Sequence, residues 1–406
     1  MCFPIYEGDQ FKSWHVSAGI KLLELLGDGT VPFDFEMVNG DYSAKIPFHA
    51  DFRDGHTLEA IACYNEFKFD WPERFCVDMA LDAERNGAAL VNYCTARLGK
   101  RGAEGAWTVV LESSTDRALA PAEVHAPVVL NMAGTWIDDV LPADQHKGRL
   151  IQGTKGIHIV VEMPDTYRGF GVASLNSVGE PYYVLPLHKN LYSIGVTETL
   201  FEGDAIDVSA SDQEIDFLIN ETNALLPGRQ LQRADVLRSW AGVRPLTFSK
   251  SHPKGSRARA LHDLTGRGFP GVFALTGGPI MTHRSAGRLA LDAVASQLDP
   301  SGPTGRVDTS PFAFSNSDNS PPFLADEPDV RVADIEFGVT GEHARSLIDV
   351  LLRRTGLAWR RDLLRSEVEQ AARIMGPHLN WSAEEASAQI ADYMAFQENV
   401  FRRPTP

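Results

Sequence analysis

No stretch of this sequence stays apolar for the roughly 18 residues that a membrane-crossing helix requires, which argues against a helical membrane protein. The opening residues, Met1-Cys2-Phe3-Pro4, lack a basic region followed by an apolar one, so no secretory signal is expected and a cytoplasmic location is. Cysteine is scarce. Cys2, Cys63, Cys76 and Cys94 form no C-x-x-C pair and have no histidines at zinc-site spacing, so no metal centre is expected and the thiols read as buried and reduced. Positive charge is short: 38 Lys and Arg against 54 Asp and Glu leave a net charge of −16. Such a chain lacks the summed field that a nucleic acid requires, and nucleic acid is not an expected partner. A few gathered arginines can still hold one small anion, because the field at a site is set by charges within a few ångströms.

What is present is a folded, globular composition, 43% hydrophobic over 406 residues. Apolar spacing predicts a helix over Phe11–Leu26, with Trp14, Val16, Ile20, Leu22, Leu23, Leu25 and Leu26 mostly on one face and Gly27 as its stop. A short strand at Phe67–Phe69, a helix at Pro72–Asn86 opened by Asp70, and a strand at Ala88–Ala96 together suggest a β-α-β rhythm. Strands follow at Trp107–Glu112 and Val128–Asn131, then a short helix at Trp136–Val140. Residues 157–200 read as an antiparallel sheet built from Ile157–Glu162, Gly171–Asn176, Tyr182–Leu187 and Tyr192–Thr197. Next come helix Asp212–Leu225, capped by Ser211 and stopped by Pro227, and strand Val236–Val243. Strand Val272–Thr276 runs through Gly277-Gly278 into a helix from about His283 to Gln297. Residues 299–330, dense in Ser, Pro, Asp and Asn, read as a linker. Helices at Glu342–Thr355, Leu363–Met375 and Ala383–Val400, the last with a capping box from Ser382 to Glu385, end the chain.

Three constellations point to chemistry. The apolar strand ending in Gly277-Gly278 can bring backbone N–H groups close to a ligand at a helix start, although such a turn is often only good packing. Ser239-Trp240-Ala241-Gly242-Val243-Arg244-Pro245-Leu246 delivers an arginine at a strand end, with Arg257 on the next segment; two guanidiniums could grip a phosphate or carboxylate. Gly153-Thr154-Lys155-Gly156-Ile157-His158 places a histidine in an otherwise apolar strand, where a structural role is the commoner one.

Together with Ile194-Gly195-Val196-Thr197-Glu198, Glu202-Gly203-Asp204 and Asn131-Met132-Ala133-Gly134-Thr135-Trp136, these segments resemble, in order and approximate spacing, the FAD-dependent glycerol-3-phosphate dehydrogenases. Asp349–Thr355 and Asn380-Trp381-Ser382 resemble that family's C-terminal helical domain. The resemblance implies an α/β (α+β overall) fold: an incomplete Rossmann-like FAD-binding domain interleaved with an antiparallel-sheet substrate domain, plus a C-terminal helical domain. The FAD-domain parts would be about 70–150 and 256–298, the substrate-domain parts about 1–69 and 151–255, and the helical domain 331–406. It implies FAD as cofactor, seated by Ala133, Gly134, Trp136, Gly277, Gly278, Ile280 and Met281. It also implies hydride transfer from the secondary alcohol of glycerol 3-phosphate or a related small anionic alcohol, with His158, Arg244 and Arg257 as catalytic residues. The expected partners are that substrate, a quinone acceptor at the inner face of a membrane, and a second copy of the chain as a homodimer.

Two departures qualify this expectation. The family's opening strand, G-x-G-x-x-G turn and helix, which seat the FAD pyrophosphate, have no counterpart in this sequence, so weak FAD binding is expected of this chain alone. Where the family reads G-G-K, the sequence reads Gly277-Gly278-Pro279, which removes a cation from the substrate side. The alternative reading is a truncated or FAD-less relative acting as a binding or regulatory protein, or an inactive fragment.

Overall fold

The computed structural model describes residues 1–27, 32–53, 57–69, 71–116, 118–142, 148–298 and 319–403. Asp70, expected to open a helix, lies outside them, as does residues 299–318 of the expected linker.

The organising element is a nine-stranded sheet. Its strands are β1 (Cys2–Tyr6), β2 (Glu36–Val38), β3 (Leu58–Cys63), β8 (Ile151–Glu162), β9 (Val172–Leu175), β10 (Pro181–His188), β11 (Leu191–Gly195), β12 (Thr199–Leu200) and β13 (Val236–Thr247). The order runs β12-β8-β11-β10-β9-β1-β3-β2, with β13 on the other edge of β8. The antiparallel reading of residues 157–200 therefore holds, and β8 and β13 both extend beyond their expected ends. Alternation along β8 sends Ile157, Ile159 and Val161 into a core shared with helix α3 (Asp212–Leu225). That helix buries Ile215, Leu218, Ile219 and Leu225 against the sheet, each apolar side chain contributing about 1.5–3 kcal/mol.

A second, smaller region sits beside it. Helix α2 (Pro72–Arg85) leads not into a β-α-β crossover but into an antiparallel meander of β4 (Cys94–Arg101), β5 (Trp107–Ser113) and β6 (Ala122–Ala126). The tight turn at Gly102–Gly105, where Gly102 donates to the Ala106 carbonyl at 2.7 Å, forces β4 and β5 antiparallel. Residues 88–93 precede the strand rather than belong to it, and Phe67–Phe69 is irregular. The meander packs on a three-stranded sheet in which β15 (Val272–Thr276) pairs parallel with β7 (Val129–Asn131) and antiparallel with β14 (Ala260–Asp263). After β15 comes a short 3-10 turn at Ile280–Thr282, and only then helix α4 (His283–Ala295). After β7 the expected helix is likewise a 3-10 turn, Gly134–Trp136.

The C-terminal region begins inside the expected linker. Residues 322–331 form a hairpin, β16 (Pro322–Leu324) with β17 (Glu327–Arg331), followed by an unanticipated helix α5 (Val332–Thr340). Phe323, Leu324 and Val330 join the core of the helices, so apolar residues scattered among polar ones decide the structure there. In place of a helix over 342–355, a π-helical turn spans Asp349–Arg354, wound around buried Asp349, which accepts from the backbone N–H groups of Arg345 and Ser346. Helices α6 (Leu357–Arg360), α7 (Arg365–Leu379) and α8 (Ala383–Val400) complete the bundle, α8 with its expected capping box.

Helix α1 (Ser13–Leu26) forms as expected, but only Ile20 is buried; Trp14, Leu22, Leu23, Leu25 and Leu26 are all more than half exposed. The thiols also differ from expectation: Cys2 is buried, Cys63 and Cys94 are half-buried and Cys76 is exposed.

Ser211 caps α3 reciprocally: its hydroxyl accepts the Glu214 N–H at 3.3 Å, and Glu214 accepts the Ser211 N–H at 3.0 Å. Ser211→Ala should lower unfolding free energy by about 1 kcal/mol in urea titrations, as loss of a helix cap does.

Candidate functional site

The β8–β13 ladder carries the site. Its antiparallel register sets Trp240 opposite His158, Gly242 opposite Gly156 and Arg244 opposite Thr154. Alternate residues share a sheet face, so His158 and Gly156 stand beside Trp240, Gly242 and Arg244 on one surface. Gly242 leaves an open floor, with His158 and Trp240 on one side of it. On the other side the Arg244 guanidinium folds over Gly156 and donates to the Thr197 carbonyl at 3.3 Å.

His158 stacks on Trp240 with centroids 5.0 Å apart and planes 14° apart. Burial, with the charge of Arg244 as a smaller cause, pushes its pKa down to about 4, so the ring is a neutral base over the whole physiological range. A side chain at Gly195 would meet His158 Cδ2 at 2.5 Å and the Ile157 carbonyl oxygen at 2.9 Å, so only glycine leaves the ring its place. Arg244 is itself pushed down, by burial first and then by Arg257. Arg257, 60% exposed, is held by Glu198 at 2.5 Å. The two arginines are close enough to repel each other, and the carboxylates of Glu198 and Glu180 act on Arg244 against that repulsion.

The Gly-Gly turn adjoins this surface directly. The Gly278 N–H donates to the Arg257 carbonyl at 3.0 Å. Gly277 and Gly278 have φ of +64° and +80°, and a Cβ on Gly277 would lie 2.5 Å from the Ala258 carbonyl oxygen. Thr247, at the end of β13, bonds both the Ala258 carbonyl and Thr276, tying the turn to the ladder. The turn of residues 131–136 leaves the adjacent parallel strand β7 at the same, carboxyl, end. Asn131 holds it by donating to the Ile137 carbonyl at 2.8 Å, and Trp136 donates to Asp204 at 3.2 Å. Ala133, Gly134, Trp136, Gly277, Gly278, Ile280 and Met281 thereby gather at the carboxyl edge of one parallel pair, where α/β sheets bind ligands. Trp136 is 47% and Met281 69% exposed. A cleft of about 990 Å³ continues from Ala133 and Trp136 along β4.

A family model described as FAD dependent oxidoreductase matches residues 17–293, the span holding both halves of this site. The chain belongs to that family. A second model, the C-terminal domain of alpha-glycerophosphate oxidase, matches residues 312–386. Among relatives of this FAD-dependent oxidoreductase, the glycerol-3-phosphate dehydrogenase of Synechocystis sp. is 28% identical across 98% of this chain and 81% of its own length. The enzyme of that name from Pseudomonas aeruginosa is 29% identical over 71% of this chain. The aerobic glycerol-3-phosphate dehydrogenase of Staphylococcus epidermidis is 24% identical over 73%. The matched chain spans only about half the length of these last two, 53% and 52%. In fold, the chain superposes on the Bacillus halodurans glycerol-3-phosphate dehydrogenase complexed with FAD with a TM-score of 0.71 at 18% identity, covering 100% of this chain and 82% of that one. The FAD-bound L-alpha-glycerophosphate oxidase of Mycoplasma pneumoniae gives 0.50 at 15%, covering 74% and 72%.

Sequence reasoning quoted Trp240, Gly195 and Glu198 only as members of motifs and assigned them no role, and it passed over Arg259. The role of Trp240 was findable, since it lies four residues before Arg244 and so shares its strand face. Those of Gly195, of Glu198 as the partner of Arg257, and of Arg259 were not. Arg259 braces the turn after the glycines through the Thr282 carbonyl and Ser285, and such pairings join segments with no common sequence signal.

Two measurements check this geometry. His158 has a folded pKa near 4 against an ordinary 6.5, so the unfolded chain takes the proton first. Its effect is nil above pH 6.5 and increasingly destabilising as pH falls from 6.5 towards 4. His158→Asn should flatten that part of the stability curve, and an unchanged slope would mean that the imidazole titrates normally. Gly195→Ala should cost about 1–3 kcal/mol by overpacking, read from thermal or urea unfolding.

Proposed function

We propose that this chain oxidises the secondary alcohol of glycerol 3-phosphate with FAD as its redox partner. The observation that carries the reading is the placement of a neutral His158 and, over Gly156, a cationic Arg244 on the sheet face that Gly242 leaves open, with Arg257 hydrogen-bonded through its backbone to the Gly-Gly turn.

FAD, when bound, supplies an acceptor for the electron pair of the substrate C–H bond. The remaining work falls to the protein. His158 takes the hydroxyl proton, which its depressed pKa leaves it free to do at neutral pH. Arg244 steadies the oxygen as it becomes a carbonyl, and Arg257 takes the phosphate in place of Glu198. The open space over Gly242 lets the substrate carbon lie close to the sheet, and Trp136, Ile280 and Met281 with the paired glycines would seat the flat ring. With Pro279 where the resemblance would place a lysine, the phosphate depends on the arginines alone.

Steady-state turnover with a soluble dye as acceptor, together with bleaching of the visible flavin absorption on adding substrate, tests the reading. Arg244→Ala should lower kcat/KM at least about 100-fold, or about 3 kcal/mol of transition-state stabilisation, with little change in Tm. Arg257→Ala should chiefly raise KM, by about tenfold. Purified chain that takes up no added FAD would sink the enzyme reading in favour of a FAD-less binding protein.

A membrane quinone as acceptor belongs with this proposal, and it requires contact with a lipid surface. Support comes from α1, whose exposed Trp14, Leu22, Leu23, Leu25 and Leu26 make an apolar surface flanked by Lys12 and Lys21, the composition of an interfacial helix. Among the described residues no helix is long and apolar enough to cross a membrane. Leu22→Glu with Leu25→Glu should abolish co-sedimentation with anionic lipid vesicles and leave turnover with the soluble dye unchanged. Wild-type chain that ignores the vesicles would reject the contact.

A further inference from the structure

The face of β13 that carries Trp240 and Arg244 begins with Arg238, two residues earlier on the same side. Arg238 is 3% exposed and donates to the Ala358 carbonyl at 2.7 Å and to the Trp359 carbonyl, both at the end of α6. Its neighbour Ser239 donates twice to the Arg402 carbonyl, from the backbone at 2.7 Å and from the hydroxyl at 2.9 Å. The strand that builds the site is therefore also the strand to which the C-terminal region is fastened.

The fastening places an aromatic ring behind the histidine. Trp359 meets Trp240 edge-on, with centroids 5.1 Å apart and planes at 76°. Trp240 stacks flat on His158, and Phe401 backs Trp359 edge-on at 5.1 Å and 74°. His158 thus lies against a column of rings whose outer two members come from the C-terminal region. Edge-to-face and stacked pairs of this kind contribute about 0.5–1.5 kcal/mol each beyond their burial, and they fix ring planes. Trp240 packs on the C-terminal core, and Trp359 is the ring of that core that meets its indole. Loss of that contact would pass to His158, whose other neighbour, Gly195, has no side chain. The charged groups around the column are Arg244 beside His158, Arg238 beside Phe401 with Asp362 next to it, and Glu73 of α2 beside Trp359 with Arg353 acting on it.

We propose that Trp359 is a positioning residue: through Trp240 it holds the imidazole of His158 in the orientation that faces the glycine floor, so the C-terminal region completes the site without entering it. The proposal rests on His158 being the proton acceptor, and the test separates the two.

The variants are Trp359→Ala, Trp359→Leu, which keeps apolar volume without a ring, and Trp359→Phe, which keeps a ring. In the full chain with labelled histidine, the His158 resonance is assigned by its loss in His158→Asn and titrated by NMR. Trp359→Ala and Trp359→Leu should move its midpoint up from about 4 towards 6.5, by one unit or more, as the ring tilts into solvent. Trp359→Phe should restore most of the shift. In the FAD-loaded protein the same two variants should lose about tenfold or more in kcat with KM nearly unchanged, because the anion-binding arginines are untouched. If Trp359→Ala does not fold, Trp359→Leu against Trp359→Phe carries the comparison. An unmoved His158 midpoint in folded Trp359→Leu would overturn the proposal. A moved midpoint together with full turnover in His158→Asn would instead reject His158 as the proton acceptor and leave the positioning intact.

Discussion

Everything in this molecule is hung on the antiparallel pairing of β8 with β13, an eleven-pair register running from Val236 opposite Val161 to Thr247 opposite Ile151. One face of that ladder is core. The other serves in succession as the mooring for the C-terminal helices, the wall and floor of the cleft, and the platform for Arg244. Side-chain direction alternates with period two, so a one-residue slip of β8 would turn His158 into the core and its isoleucines out of it, and a slip of β13 would do the same to Arg238 and Arg244. The apolar face, packed against α3, fixes the register far more strongly than the polar residues could, and so the core dictates the geometry of the site.

The electrostatics follow from the same ladder. An acidic chain can hold an anion only where local cations are gathered and partly shielded from the bulk. Arg244 is folded over a glycine that offers it no obstruction, and burial there depresses the pKa of both the arginine and the neighbouring imidazole. Depression has opposite practical meanings for the two. The arginine stays charged because its ordinary pKa is so high, whereas the histidine becomes firmly neutral, so a permanent cation and a proton acceptor stand side by side on one sheet face.

Much of this was legible in the sequence, for identifiable reasons. Helix α3 was bounded to the residue because Ser211 and Pro227 mark its ends chemically. The strands within residues 157–200 and Val236–Val243 betray themselves by β-branched and aromatic runs between glycine, proline and asparagine turns, whereas the start of β8 and the end of β13 do not. The meander after α2 was misread because alternation does not tell a parallel from an antiparallel neighbour; the turn at Gly102–Gly105 does. The hairpin at 322–331 was hidden because Phe323, Leu324 and Val330 are few among polar residues, yet all three reach a core supplied from elsewhere. For the site, single-strand spacing made His158 and Arg244 visible. The roles of Glu198, Gly195 and Trp359 as their supports become evident only once segments more than thirty residues apart are laid side by side.

The buried guanidinium of Arg238 has a consequence for how the molecule comes apart. Peeling the C-terminal helices from β13 would strip a nearly dry cation of the two carbonyls that satisfy it, exposing α6 and the ring column at the same moment. Separation of the two regions is therefore steeply uphill until the strand itself melts, and the sheet and the helical bundle should exchange their amide protons as one cooperative unit rather than as two beads on a string.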